Sequence, residues 1–152
     1  MASKAILQLK GFDDLLEQIQ KAGGSIDAAA DSCLRQSAHI METELKAQMQ
    51  AADVDGALIN AMPPPQITVK NNRYSAAVGY KKGEFDPNNP SDGYKVVFLN
   101  YGTPRRKKHG KVAARGFIQV AKKKARPQIK RAQQETLEKI LGRVSRNETK
   151  AD

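Results

Sequence analysis

The sequence predicts an α+β fold: a small antiparallel sheet of three to four strands packed against one long helix in the N-terminal half and a second helix at the C-terminal end. Three observations carry this. Apolar residues recur at a 3.6-residue period from Ile26 to about Ala52, and again from Phe117 to Val144. Between those stretches, residues 66–80 alternate at period two around an Asn-Asn pair. The chain of 152 residues is one domain's worth of polypeptide, long enough to bury roughly two thirds of its unfolded surface without a disulfide or metal. A single domain over 1–144 with a polar tail, 145–152, is expected.

In order along the chain, residues 5–10 alternate weakly through Ile6, Leu7 and Leu9 and read as a short strand ending at Gly11. Residues 12–21 place Phe12, Leu15, Leu16 and Ile19 on one helical face and stop at Ala22-Gly23-Gly24. Ser25 then caps a helix whose apolar stripe is Ile26, Ala30, Cys33, Ile40, Met41, Leu45 and Met49. At 1.5 Å per residue this helix is roughly 42 Å long. A compact domain of this size has a radius of gyration near ~15 Å, so the helix spans the body or projects from it, which favours assembly. Asp53-Val54-Asp55-Gly56 breaks it, a short apolar turn carries Leu58, Ile59 and Met62, and Pro63-Pro64-Pro65 forces extended backbone. Strands are expected at 66–70 and 73–80, a loop at 81–93, and the strongest strand at 94–101 with its run Val96, Val97, Phe98 and Leu99. After Gly102 and a basic loop over 103–116 comes a helix from Phe117 to about Val144, with Pro127 either kinking it or opening a new one.

Charge is unevenly divided. Residues 1–94 hold 9 Lys/Arg against 12 Asp/Glu, a net of −3, while residues 95–152 hold 17 against 4, a net of +13, giving +10 in all. The densest cluster is Arg105, Arg106, Lys107, Lys108, Lys111 and Arg115 in the loop, the candidate interface of this chain. Such crowding of like charge calls for an anionic partner. Lys122, Lys123, Lys124 and Arg126 follow at helical spacing and read as the solvated face of an amphipathic helix.

Catalytic and metal chemistry find no support. A single cysteine excludes an internal disulfide framework and a multi-Cys zinc site. Cys33 lies on an apolar stripe and reads as a buried small side chain rather than a nucleophile. His39 and His109 have no partner at ligand spacing and read as surface histidines. Asp53-Val54-Asp55-Gly56 has its glycine fourth rather than sixth, so it is a helix stop and not a calcium loop. No enzyme activity, cofactor or metal is expected. No apolar run approaches the ~20 residues of a membrane span, and the opening residues lack the core of a secretory signal, so a soluble intracellular protein is expected. The absence of a zinc finger, helix-turn-helix or aromatic strand motif argues against base-specific nucleic-acid recognition and leaves backbone attraction open.

Several phrases occur in a recognisable order: Leu9 to Leu16 (Leu-Lys-Gly-Phe-Asp-Asp-Leu-Leu), a long helix, Asp55 to Met62 (Asp-Gly-Ala-Leu-Ile-Asn-Ala-Met), a hairpin, Phe98 to Thr103 (Phe-Leu-Asn-Tyr-Gly-Thr), and Gly116 to Ala121 (Gly-Phe-Ile-Gln-Val-Ala) leading the last helix. This resembles the tailed-bacteriophage neck and tail-completion family, the gene-product-ten-like minor tail components. The resemblance covers roughly residues 5–144. Gly56-Ala57-Leu58 matches the family's Gly-x-Leu phrase and Gly102-Thr103 its strand-ending Gly-Thr, while Ala114-Arg115-Gly116-Phe117 carries the third phrase without its proline.

The resemblance implies a structural protein of the virion, forming a ring at the head–tail junction or the top of the tail, made and assembled in the host cytoplasm. Its expected partners are itself, with a hexameric ring favoured, and neighbouring neck and tail proteins. DNA would pass through the channel without specific recognition, and no membrane is involved. The basic loop is expected to meet acidic protein surfaces of a neighbouring copy. The alternative is a sequence-nonspecific DNA-binding module that uses the basic C-terminal part.

Overall fold

The structure, a computed structural model, describes residues 12–71, 73–81, 83, 86, 88–104 and 110–151. It is α+β in the order α1 (Phe12–Lys21), α2 (Ile26–Ala51), α3 (Gly56–Asn60), β1 (Gln66–Lys70), β2 (Arg73–Ala77), α4 (Asp92–Tyr101) and α5 (Phe117–Ala151).

Local chemistry sets the ends of α2. Ser25 Oγ accepts the Ala28 N–H at 3.2 Å, satisfying one orphan donor of the first turn, and Asp27 lies at the positive end of the helix dipole. At the other end Asp53 adopts φ 53°. The Val54 N–H reaches back to the Met49 carbonyl at 3.0 Å and the Asp53 N–H to Gln50 at 3.1 Å, a Schellman closure. Val54 and Met49, which such a closure brings together, are both buried in the main core.

The scaffold is the antiparallel pair α2–α5. Three cross-helix hydrogen bonds fix the register: Gln128 Nε2 donates to Glu44 Oε2 at 3.2 Å, Gln133 Nε2 to Ser37 Oγ at 2.6 Å, and the Thr136 hydroxyl to the Gln36 side-chain oxygen. Both helices bury a row at four-residue spacing: Ala29, Cys33, Ser37, Met41, Leu45 and Met49 on α2, and Phe117, Ala121, Ala125, Ile129, Gln133 and Leu137 on α5. Rows at that spacing are the ridges that helices interdigitate. The register sets Leu45 level with Ala125 and Met49 level with Ala121, all in one core, and Cys33 level with Leu137 in the other. At these three levels a large side chain opposes a small one, while Met41 stands level with Ile129 and Phe117 joins Met49 in the main core.

A polar layer divides the two cores. The Ser37 hydroxyl donates to its own helix at the Cys33 carbonyl, 2.7 Å away, and accepts from Gln133. Ser37→Ala removes the acceptor of a buried amide without leaving a large void. Urea unfolding is expected to register a loss of about 1–3 kcal/mol, with part of it recovered in Ser37→Ala/Gln133→Leu.

On one side of this layer, Ile19 of α1 packs with Ala29, Cys33 and Leu137. On the other, α3, α4 and the start of α5 bring Leu58, Met62, Val96 and Phe117 onto Met41, Leu45 and Met49. The β-hairpin lies along α2 through β2. Its Tyr74 hydroxyl bonds Asp27 in the first turn of α2, and the Tyr80 hydroxyl just beyond it donates to the Leu58 carbonyl.

Four expectations require correction. Among the described residues the sheet has two strands, not three to four. Residues 94–101, expected as the strongest strand, belong to helix α4. Their buried positions are Val96 and Asn100, four apart, with Ser91 at the N-cap, Asp92 in the first turn and Gly102 terminating the helix at φ 77°. A short apolar run fits a strand or a buried helix turn equally well, and tertiary burial at i and i+4 decides for helix. β2 ends at Ala77 because Gly79 turns to φ 119°, and Val78 and Tyr80 lean onto the main core instead of extending the ladder. The expected tail is helical as far as Ala151, and α5 runs unbroken through Pro127. Pro127 is exposed, so the Lys123 carbonyl that loses its helical donor faces solvent. The strand expected at 5–10 lies outside the described residues.

Candidate basic interface

The loop between α4 and α5 hangs from a closed neck. Thr103 N–H donates to the Val112 carbonyl at 2.9 Å, and Val112 N–H donates to Thr103 Oγ1 at 3.2 Å. The strands of the neck approach so closely at Gly102 that a Cβ there would sit 2.8 Å from both Ala114 N and Val112 O, and its φ of 77° excludes most side chains as well. Below the neck, Arg115 N–H bonds the Leu99 carbonyl and Gly116 N–H the Asn100 carbonyl, each at 3.0 Å. Asn100, 1% exposed, then accepts the Ile118 N–H on Oδ1 at 2.8 Å. A buried amide from α4 thus caps the first turn of α5 in place of a local Ser or Asp.

The six candidate interface residues separate on this frame. Arg105, Arg106, Lys107 and Lys108 lie outside the described residues, between attachment points that the neck holds together. Lys111 is exposed beside the neck. Arg115 is engaged within the fold, where its Nη1 donates to the Ala52 and Asp53 carbonyls, both at 2.9 Å. A guanidinium there satisfies orphan carbonyls at the negative end of α2 and ties the loop base to that helix. No family model, curated protein or solved structure matches the chain.

A second cationic group lies on α5. Lys123, Lys124, Arg126, Lys130 and Arg131 are exposed, and Lys122 is half-buried. The ion pairs Lys21–Glu17, Arg35–Asp31, Lys46–Glu42 and Lys95–Asp92 each lie within a single helix, α1, α2 or α4. Asp31 and Glu42 of α2 are thus matched by cations of α2 itself.

An open groove of about 520 Å³ runs between α3 and α4, floored by Leu58, Phe98 and Leu99 and bordered by Val112 of the loop neck. Both carboxylates at its lip are engaged, Asp55 capping α3 at the Ala57 N–H (2.9 Å) and Asp92 pairing with Lys95 (3.4 Å).

Cys33 is buried as expected, its Sγ 3.9 Å from the Gln133 carbonyl. Burial pushes its thiol up to about 11, so the nucleophilic thiolate is scarce at neutral pH. A folded-state value raised above the unfolded one adds stability that is complete below the unfolded value and is lost as pH rises through about 11. Wild type is therefore expected to lose more stability than Cys33→Ala between pH ~9 and ~11, read from urea midpoints. His39 is exposed on α2, and His109 lies outside the described residues. Sequence reasoning did not find the caps supplied by Asn100 and Arg115. Gly102 and Gly116, which bracket the loop, were the available signal for a tightly built base; nothing local marked Asn100 as buried.

Proposed function

We propose that this chain is a structural protein of a tailed-phage virion, a component of the neck or tail-completion region that works as a homo-oligomeric ring. The observation that carries the reading is the unpaired outer edge of β1. Among the described residues β1 pairs with β2 alone, and its other edge makes no backbone hydrogen bond. Val69 on that strand is 56% exposed, the highest value among the large apolar side chains described. A two-stranded ribbon is marginal alone, and an open apolar edge is a template for another strand. Pairing of the β1 edge of one copy with the outer edge of β2 in the next, which also makes no backbone hydrogen bond among the described residues, closes into a ring when the copies are related by rotation.

In this arrangement the sheets of neighbouring copies adjoin, with a hexamer favoured, and the basic loop meets acidic surface on the next copy or the adjoining ring. Repetition of the loop in about six copies builds a strongly positive annulus. Assembly would take place in the host cytoplasm and the product would reside in the virion.

The test follows from the hairpin register. A two-residue turn makes Lys70 and Arg73 a hydrogen-bonded pair, so the ladder alternates and the Val69 N–H points to the open edge. Val69→Pro removes that donor and spares the ladder to β2. Wild type at high concentration is expected to show ring-sized mass by light scattering and closed rings by electron microscopy. Val69→Pro is expected to remain monomeric with an unchanged urea midpoint. A monomeric wild type, or rings that survive the substitution, would overturn the reading.

A further inference from the structure

We propose that the exposed face of α5 formed by Lys123, Lys124, Arg126, Lys130 and Arg131 is a binding surface for the phosphate backbone of duplex DNA, independent of base sequence. The inference stands apart from ring formation, because it rests on α5 and the ring rests on β1.

Helical spacing gathers these cations on one side. Lys123, Arg126 and Lys130 fall at i, i+3 and i+7, one stripe of an α-helix, and Lys124 and Arg131 form an adjoining stripe at i and i+7. From 123 to 131 the patch is about 12 Å long at 1.5 Å per residue. A duplex carries one phosphate charge per about 1.7 Å of its axis, so a patch of this length faces several phosphates at once. Residues 117–134 hold six cations and no carboxylate, so no acidic side chain of that stretch interrupts the field.

The neighbouring helix does little to neutralise them. α2 lies along α5 and carries Asp27, which bonds Tyr74 of the hairpin, with Asp31, Glu42 and Glu44. Asp31 and Glu42 pair with Arg35 and Lys46 of α2 itself. Glu44 reaches across the seam to the amide of Gln128 and keeps its charge, one negative unit against the five cations of the patch. Gln133 to Ser37, Thr136 to Gln36 and Cys33 to the Gln133 carbonyl, also across the seam, are between uncharged groups.

The patch is also rigid. The opposite face of the same turns is locked in the core by Ala121, Ala125 and Ile129, so the backbone bearing these cations is already ordered before a partner arrives. Of the large apolar side chains exposed among the described residues, only Val120 belongs to α5. Without aromatic side chains to stack on bases, the face reads phosphates and not sequence.

The experiment is fluorescence anisotropy of a random-sequence duplex of about 20 base pairs titrated with the full-length chain at nanomolar to micromolar concentration and several salt concentrations. Up to five phosphate contacts predict a plot of log affinity against log salt with a slope of about −3 to −5. Lys123→Ala/Arg126→Ala/Lys130→Ala is expected to flatten that slope by about 2–3 and weaken binding at low salt by about a hundredfold. Lys21→Ala/Arg35→Ala/Lys81→Ala removes three exposed cations outside both α5 and the loop and is expected to change affinity by less than about threefold. Circular dichroism should be unaltered, since the substituted side chains are exposed. The proposal is overturned if wild type fails to bind at low salt, if the two triple variants weaken binding equally, or if only Arg105→Ala/Arg106→Ala/Lys107→Ala/Lys108→Ala abolishes it. None of these outcomes bears on ring assembly, which is read by mass at high concentration.

Discussion

Truncation of Phe117 to alanine is expected to destabilise the fold by about 3–5 kcal/mol, a third or more of the stability of a typical domain. Phe117 is 2% exposed and the bulkiest of the fully buried side chains. It sits where three elements converge. It opens α5 directly after the positive-φ Gly116, it follows the backbone that bonds the Leu99 and Asn100 carbonyls of α4, and it packs in the core with Met49 and Leu58. The surrounding backbone is held by those hydrogen bonds and cannot collapse into the space, so the cavity contribution adds to the lost transfer energy. A urea titration should show a lower midpoint at unchanged slope, as a loss of packing without a change in the surface exposed requires. Phe117→Leu keeps most of the volume and should cost less than half as much. Equal losses for the two substitutions would mean that the shape of the ring, not its volume, is what the site selects.

The second large effect is on assembly. Changing Arg105, Arg106, Lys107 and Lys108 to glutamate reverses four charges at two units each and takes the formal charge from +10 to +2. If the loop docks on acidic surface of a neighbour, each reversal turns attraction into repulsion, and ring-sized species should vanish from light scattering. Folding should survive, because the neck that carries the loop is made by Thr103 and Val112 and the base by Asn100 and Arg115, none of which is altered. Raising salt towards 1 M, where screening acts within about 3 Å, should weaken wild-type assembly in the same direction. Rings that form normally with all four charges reversed would remove the loop from the interface.

Much of the scaffold was legible because it obeys strong local rules. α1, α2 and most of α5 follow from apolar spacing, Ser25 from its capping chemistry, and the hairpin from alternation around Asn71, which takes φ 51° in the turn. α4 was not legible, because Val96, Val97, Phe98 and Leu99 prefer strands intrinsically and their helix is settled by what Val96 and Asn100 bury against. The end of α5 was misjudged for a related reason: polar composition past Val144 looked like a tail, yet the backbone continues a helix already nucleated over many turns. At the candidate interface, charge density singled out Arg115 with the other five cations. Its pairing with the Ala52 and Asp53 carbonyls, sixty residues earlier in the chain, has no sequence signature.

Ser37 and Gln133, at the crossing of the two cores, act as a detent between α2 and α5. Sliding one helix by a turn in one direction drives Met49 towards Phe117 and sets Ser37 against Ile129; sliding in the other sets Ser37 against Leu137 and Met41 against Gln133. Either slip parts the buried Gln133 amide from the Ser37 hydroxyl and leaves it among groups that cannot replace that acceptor. The overlap of the two helices, and with it the placing of the loop neck along α2, is therefore set by a single amide–hydroxyl pair to within one helical step.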